Sequence, residues 1–282
     1  MKTVREEVVG KSRVRLISTT TGYAGVVINS GKVSTQCQGA DPDEVWERLL
    51  AEIGKASPSY YGFQGARVRF LNLFPTGFAS PAYLSHERTY KLNAKAMLEA
   101  TLTIDAAANA QPADAAKLMR VYSATNMLSP FELMRMKDIL GGAKGPGFVA
   151  GASLLARGEV KIGLASMSAA AKSTTRLTWT MATYLPFLWN PDENMFLKPT
   201  VTCDFATKVG HSFARLYSSD IQESTYLALQ DLVAQTELEL IDLNPQDRID
   251  IQSFIWAVGK YPDQDVAKAD AAAAELNHLS RN

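Results

Sequence analysis

Hydrophobic and polar positions alternate along the start of the chain. Val14 and Leu16, then Ala24, Val26 and Ile28, then Val33 and Thr35 are separated by polar residues, and Asn29-Ser30-Gly31 supplies a turn. This predicts a small antiparallel β element. At Asp41 the period lengthens. Asp41 is placed to cap a helix, Pro42 to fill its first position and Glu44 to complete a capping box. Val45, Leu49, Leu50 and Ile53 form its apolar face, and Gly54 ends it. A loop is expected over 57–65, then an apolar segment over 68–74 and a second loop over 75–81.

From Tyr83 onward the spacing is helical. Leu84, Leu92 and Ala96 recur through 83–100, and Ser129-Pro130-Phe131-Glu132 is a second capping box whose helix stops at Gly141-Gly142. Further helices are expected from Gly147 to Ala156, within 160–188, from Pro199 to Val209, over 222–242, and over 245–259 with Asn244 as cap. The pattern predicts a mostly α protein, α+β in class, with a small N-terminal antiparallel β element. It divides as 1–110 (β element and helices with an aromatic loop), 111–262 (helical domain) and 263–282 (Ala-rich tail).

Composition narrows the function classes. With 282 residues, 46% hydrophobic and 21% charged, the chain is of ordinary globular make-up, not disordered, collagenous or coiled-coil. No apolar run reaches the roughly 18 residues of a membrane span, so no membrane partner is expected. Lys2, Arg5, Glu6 and Glu7 break the apolar stretch a signal peptide needs, which points to a cytoplasmic protein. Cys37 and Cys203 are too few for a disulfide framework, and with His86, His211 and His278 they show no zinc-ligand spacing. No metal and no cofactor are expected.

Charge changes the picture more. The net charge is zero, yet residues 1–216 hold 25 basic and 17 acidic side chains, and residues 217–282 hold 4 and 12. Such asymmetry is either surface fluctuation or the mark of a polyanionic partner, DNA in the first instance.

Three segments could carry chemistry. Gly141-Gly142-Ala143-Lys144-Gly145-Pro146-Gly147 lacks a P-loop ending but joins two helices by a glycine hairpin. Glycines and helix-start amides of that kind approach phosphates closely, which makes Lys144, Gly145 and Gly147 candidate phosphate contacts. A glycine C-cap followed by tight helix packing explains them equally well. In the loop over 57–65, Tyr60, Tyr61 and Phe63 could stack on an unpaired base, Gln64 read its edge, and Arg67 meet a phosphate. They could also anchor a loop to the core. Finally, Asp192 in the turn 190–194 and Asp204 in the helix behind Lys198-Pro199 are carboxylates able to stabilise a positive sugar-like transition state. Turn formation for Asp192 and an i,i+4 pair of Asp204 with Lys208 are the structural alternatives.

Other chemistries are disfavoured. There is no Gly-x-Ser-x-Gly elbow, and neither cysteine has a histidine at a recognised spacing. His211 suits a helix C-cap, and Asp247 and Asp250 suit the positive end of a helix.

Tyr184-Leu185-Pro186-Phe187-Leu188-Trp189 with Met195-Phe196-Leu197-Lys198-Pro199, and residues 249–256, are similar to stretches of bacterial proteins found in phage-defence and restriction settings. Lys198-Pro199 before a short helix, with a glycine hairpin upstream, resembles helix–hairpin–helix DNA glycosylases. Thr200 stands where those enzymes carry their catalytic aspartate, and the hairpin lies farther upstream, which leaves Asp204 or Asp192 as substitutes. The resemblance implies a DNA glycosylase excising a modified base from phage DNA, with Lys198 among its phosphate contacts. The alternatives are a non-enzymatic nucleic-acid- or protein-binding module of a defence locus, and a helical protein binding a small molecule.

Overall fold

The N-terminal alternation becomes a four-stranded meander. The structure, a computed structural model, describes residues 2–9, 12–29, 31–55, 61–172 and 174–261. Strands β1 (Lys2–Val9), β2 (Ser12–Ser18), β3 (Tyr23–Asn29) and β4 (Lys32–Gly39) are each antiparallel to the next. Helix α1 (Pro42–Lys55) packs on β2, β3 and β4. Asp41 caps it as expected, its Oδ1 accepting from the N–H groups of Asp43 at 2.8 Å and Glu44 at 3.0 Å.

The face of β3 differs from expectation. Val14 lies opposite Val27 and Leu16 opposite Gly25, and residues directly opposite share a face. Gly25 and Val27 therefore point at α1, and Ala24, Val26 and Ile28 do not. Gly25 lets α1 approach closely: a Cβ there would sit 2.2 Å from Leu49 Cδ1, so Leu49 would have to move. Val14, Leu16, Val27, Val45, Trp46, Leu49 and Leu50 form a separate small core.

The second and larger core begins at Phe63. Of the residues expected as loop and apolar segment, 57–60 lie outside the described residues, and Gly62–Leu73 form one helix, α2. Phe63, Ala66 and Phe70, three and four apart, supply its buried face. Gly65, which read as a loop residue, accommodates the Tyr61 side chain: a Cβ would meet Tyr61 Cβ at 2.7 Å.

The rest is helical. A π-helical turn, Leu84–Arg88, runs directly into α3 (Thr89–Thr101). Helices α4 (Pro130–Gly141) and α5 (Gly145–Ala156) meet at 110°. The Ser129/Glu132 capping box forms. Helix α5 starts at Gly145, two residues before the expected Gly147, and α6 (Val160–Ala171) packs tightly on it. A Cβ on Gly163 would come within 2.8 Å of the Gly151 carbonyl oxygen, so the small residues after the hairpin serve helix contact. Helix α7 (Trp179–Trp189) is buried at every residue and forms the centre of the large core. It packs on α3 and α5, and α8 (Pro199–Val209), α9 (Glu223–Glu239) and α10 (Arg248–Lys260) complete the helical body.

The start of α10 is also shifted. Asn244 adopts a left-handed conformation, φ 53°, and ends the short 3-10 turn Ile241–Leu243. The cap is Asp247, whose Oδ1 accepts from Ile249 N at 2.9 Å. No single helix among the described residues is long and apolar enough to cross a membrane. The Ala-rich tail lies outside the described residues.

Candidate functional site

The π turn ahead of α3 brings charge into the interior. Its extra residue rotates the helix face, and Glu87, Arg88 and Lys91 are all buried. Arg88 clasps Asp247 with both terminal nitrogens, Nη1 to Oδ1 at 2.9 Å and Nη2 to Oδ2 at 2.8 Å. Its Nη1 also reaches Asp250 Oδ1 at 2.6 Å. The hydroxyl of Tyr83 donates to the same Asp250 oxygen, and the Gln246 N–H donates to the other at 2.8 Å. Beside this group Lys91 donates to Ser253 Oγ at 2.7 Å and to Glu87 Oε2 at 3.4 Å, while Tyr261 donates to Glu87 Oε1 at 2.7 Å. Asp247 therefore faces the positive helix end as expected, and it also takes the capping role expected of Asn244. Asp250 has a further role as the anchor of a buried ion cluster.

Burial lowers the Lys91 ammonium to about 8, against the pull of Glu87. An unfolded lysine titrates near 10.5, so between about pH 8 and 10.5 the unfolded chain holds the extra proton and stability rises with pH. From pH 8 to 9.5 the rise due to Lys91 is about 1–2 kcal/mol. Urea denaturation across that range should show it, and Lys91→Met should flatten it. Measurements stop at 9.5 because burial raises the pKa of Tyr83, Tyr90 and Tyr184. Ionisation of these tyrosines lowers stability at higher pH.

Glu87 has a second neighbourhood. With Tyr90, Phe196, Lys198, Gln252 and Trp256 it lines a recess of about 70 Å³, several times the ~10–15 Å³ that one water needs. His86 and Asn126 are exposed residues of the same lining. Gln252 is 6% exposed, and its side-chain oxygen has no hydrogen-bond partner among the described residues. Lys198, at the N-terminus of α8, donates to the Met127 carbonyl at 2.9 Å and lies 4.0 Å from Glu132 Oε2. Burial opposes ionisation of Glu132, but hydrogen bonds from Thr180 and Ser129, with Lys198 nearby, outweigh it and hold its pKa below the usual value. The recess thus brings aromatic side chains together with a carboxylate and an ammonium, and an unpaired amide oxygen lies buried beside it.

Of the residues singled out from sequence, Lys198 alone lines this recess. Tyr60 lies outside the described residues. Tyr61 is half-buried against the core, its N–H donating to the Lys208 carbonyl at 3.0 Å. Phe63 is buried with its ring edge-on to Phe205, centroids 6.1 Å apart, while Gln64 is exposed on α2. Arg67 is engaged by Asp242, Nη2 to Oδ2 at 2.6 Å, and by the Glu239 carbonyl at 2.8 Å. Lys144 and Gly147 are exposed at the start of α5. Gly145 is buried, with Leu140 O where a Cβ would stand. Asp192 and Asp204 are both exposed, and no ion pair joins Asp204 to Lys208 among the described residues.

Sequence reading missed Glu87, Tyr90, Gln252 and Trp256. A signal was present in part. Gln252 and Ser253 are polar residues flanked by Ile251 and Phe254 in a helix otherwise apolar on that side, and a buried polar residue needs a partner or a role. Comparison with family models, with curated proteins and with solved structures finds no match.

Proposed function

We propose that the chain is a DNA N-glycosylase that takes one modified base of phage DNA into the recess beside α3, α8 and α10. The supporting observation is the lining itself. Tyr90 and Trp256, both half-buried, supply aromatic surface for stacking, and Gln252 lies beside them with an unpaired amide oxygen just beneath the lining. Glu87 is fixed by Tyr261 and Lys91, and a carboxylate so held opposes the positive charge that develops on the sugar as the base departs. Water then adds to the sugar carbon, and its second proton leaves with the base or to solvent. Lys198 serves the departing base or the adjacent phosphate.

This reading moves the carboxylate role from Asp204 and Asp192 to Glu87. An exposed carboxylate acts through water, where its field is weakest. The basic excess of residues 1–216 supplies the electrostatic attraction to DNA.

The direct test is incubation with duplexes carrying modified cytosines, uracil or no modification, followed by alkali. Strand breaks on one modified substrate are expected, with binding that weakens steeply as salt rises. Absence of both breaks and salt-dependent binding would sink the proposal. A second reading, a protein-binding module of a defence locus, draws on Phe131 and Met134. These are three apart on α4 and 73% and 58% exposed. Neither cleavage nor DNA binding on any substrate would favour it, whereas DNA binding without cleavage would favour a non-enzymatic nucleic-acid-binding module.

A further inference from the structure

A larger cleft, about 690 Å³, separates the β module from the helical body. That volume falls within the ~300–1,000 Å³ typical of small-molecule sites, and boundaries between cores are where such sites concentrate. Leu50 and Ile53 of α1 form one wall, and His211, Arg215 and Leu216, after α8, form the other. The apolar side chains belong to both walls, so a ligand there touches both units.

The polar groups are not equivalent. His211 is already satisfied: Nδ1 accepts from the Phe213 N–H at 3.1 Å, which places the ring proton on Nε2, 3.1 Å from Asp231 Oδ2. Burial keeps that ring neutral by lowering its pKa, although Asp231 pulls the other way. The cleft's carboxylates, Glu47 and Asp231, are exposed. Arg215 differs. No acceptor for its guanidinium is found among the described residues: Nη2 is unpaired in the protein interior, out of a ligand's reach, and the side chain lines the cleft without a partner.

We infer that this cleft binds an amphipathic organic anion, a carboxylate on a short hydrocarbon body, with the anion on Arg215 and the hydrocarbon against Leu50, Ile53 and Leu216. The site is independent of the recess beside Glu87. The carboxylate supplies the missing acceptor for Arg215, and the hydrocarbon covers apolar surface on both walls.

The test is calorimetric titration of the full chain with decanoate, decan-1-ol and a 2′-deoxynucleoside 5′-monophosphate. Decanoate is expected to bind one to one. Decan-1-ol, which lacks the charge, should bind at least about tenfold more weakly, the scale of one charge-assisted hydrogen bond. Arg215→Gln should lose a similar factor, and Ile53→Glu, which places a negative charge on the opposite wall, should also weaken decanoate. The second variant keeps the test open should the first fail to fold. Equal affinity for decanoate and decan-1-ol, or unchanged binding in both variants, would overturn the inference. So would tighter binding of the nucleotide than of decanoate, which would discard the hydrocarbon half of the ligand.

Discussion

Arg88→Met is expected to lower the unfolding free energy by about 3–5 kcal/mol, the usual cost of stripping one partner from a buried ion pair. Asp250 and Arg88 have side chains only 1% and 6% exposed, and Asp247 is 12% exposed. Methionine fills much of the volume but leaves both carboxylates facing the interior without their cation. Asp250 would keep the Tyr83 hydroxyl and the Gln246 N–H as donors, too little to hold a full charge out of water. At about 2–4 °C per kcal/mol for a chain of this size, the melting temperature should fall by roughly 10 °C. Arg88→Lys should lie between, because an ammonium keeps the charge but cannot clasp Asp247 with two nitrogens. Adding Asp250→Asn to Arg88→Met should recover part of the loss, since the uncompensated charge is then gone. Thermal and urea unfolding of the four proteins measures this directly. A loss under about 1 kcal/mol in Arg88→Met would mean that the cluster is not what joins the π turn to α10.

That cluster also marks where sequence reading stops. Local signals were clear wherever the partner of a residue lies within a turn or two. The period change at Asp41 and the Ser129/Glu132 box belong to this kind, whereas the C-cap of α8, expected of His211, is the left-handed Gly210 before it. They follow from backbone groups at helix ends seeking nearby acceptors and donors. Arg88 and Asp250 are 162 residues apart, and each alone suits an exposed helix. The inward face of β3 was hidden for a related reason. Gly25 carries no side chain to announce burial, and only its pairing with Leu16 decides which way the strand faces. In the candidate site, Lys198 was legible from its place before Pro199. The stacking surface was expected around Tyr61 and Phe63, but Phe63 is spent on the core and Arg67 on Asp242. Aromatic side chains beside glycines read alike whether they line a pocket or close a helix onto its neighbour, because both roles require close approach.

Glu87→Gln is expected to slow single-turnover base excision by about 10²–10³-fold while binding to the same duplex changes by no more than about threefold. The argument rests on where the charge is needed. The oxocarbenium-like sugar forms only at the transition state, so a carboxylate beside the recess acts on the rate and hardly on ground-state affinity. Glutamine keeps the shape and one oxygen acceptor, which retains the bond from the Tyr261 hydroxyl. Lys91 loses its counter-charge, so melting curves must accompany the kinetics, and rates are compared only below the onset of unfolding. Tyr261→Phe separates positioning from charge. It leaves the carboxylate in place but frees one of its oxygens, and a loss of about tenfold in rate with binding unchanged is expected. Asp204→Asn and Asp192→Asn should each stay within about twofold of the parent chain, since exposed carboxylates are screened by solvent. If instead either of these abolishes excision while Glu87→Gln retains it, the reacting base sits outside the recess, and the carboxylate role returns to the exposed turn or to α8.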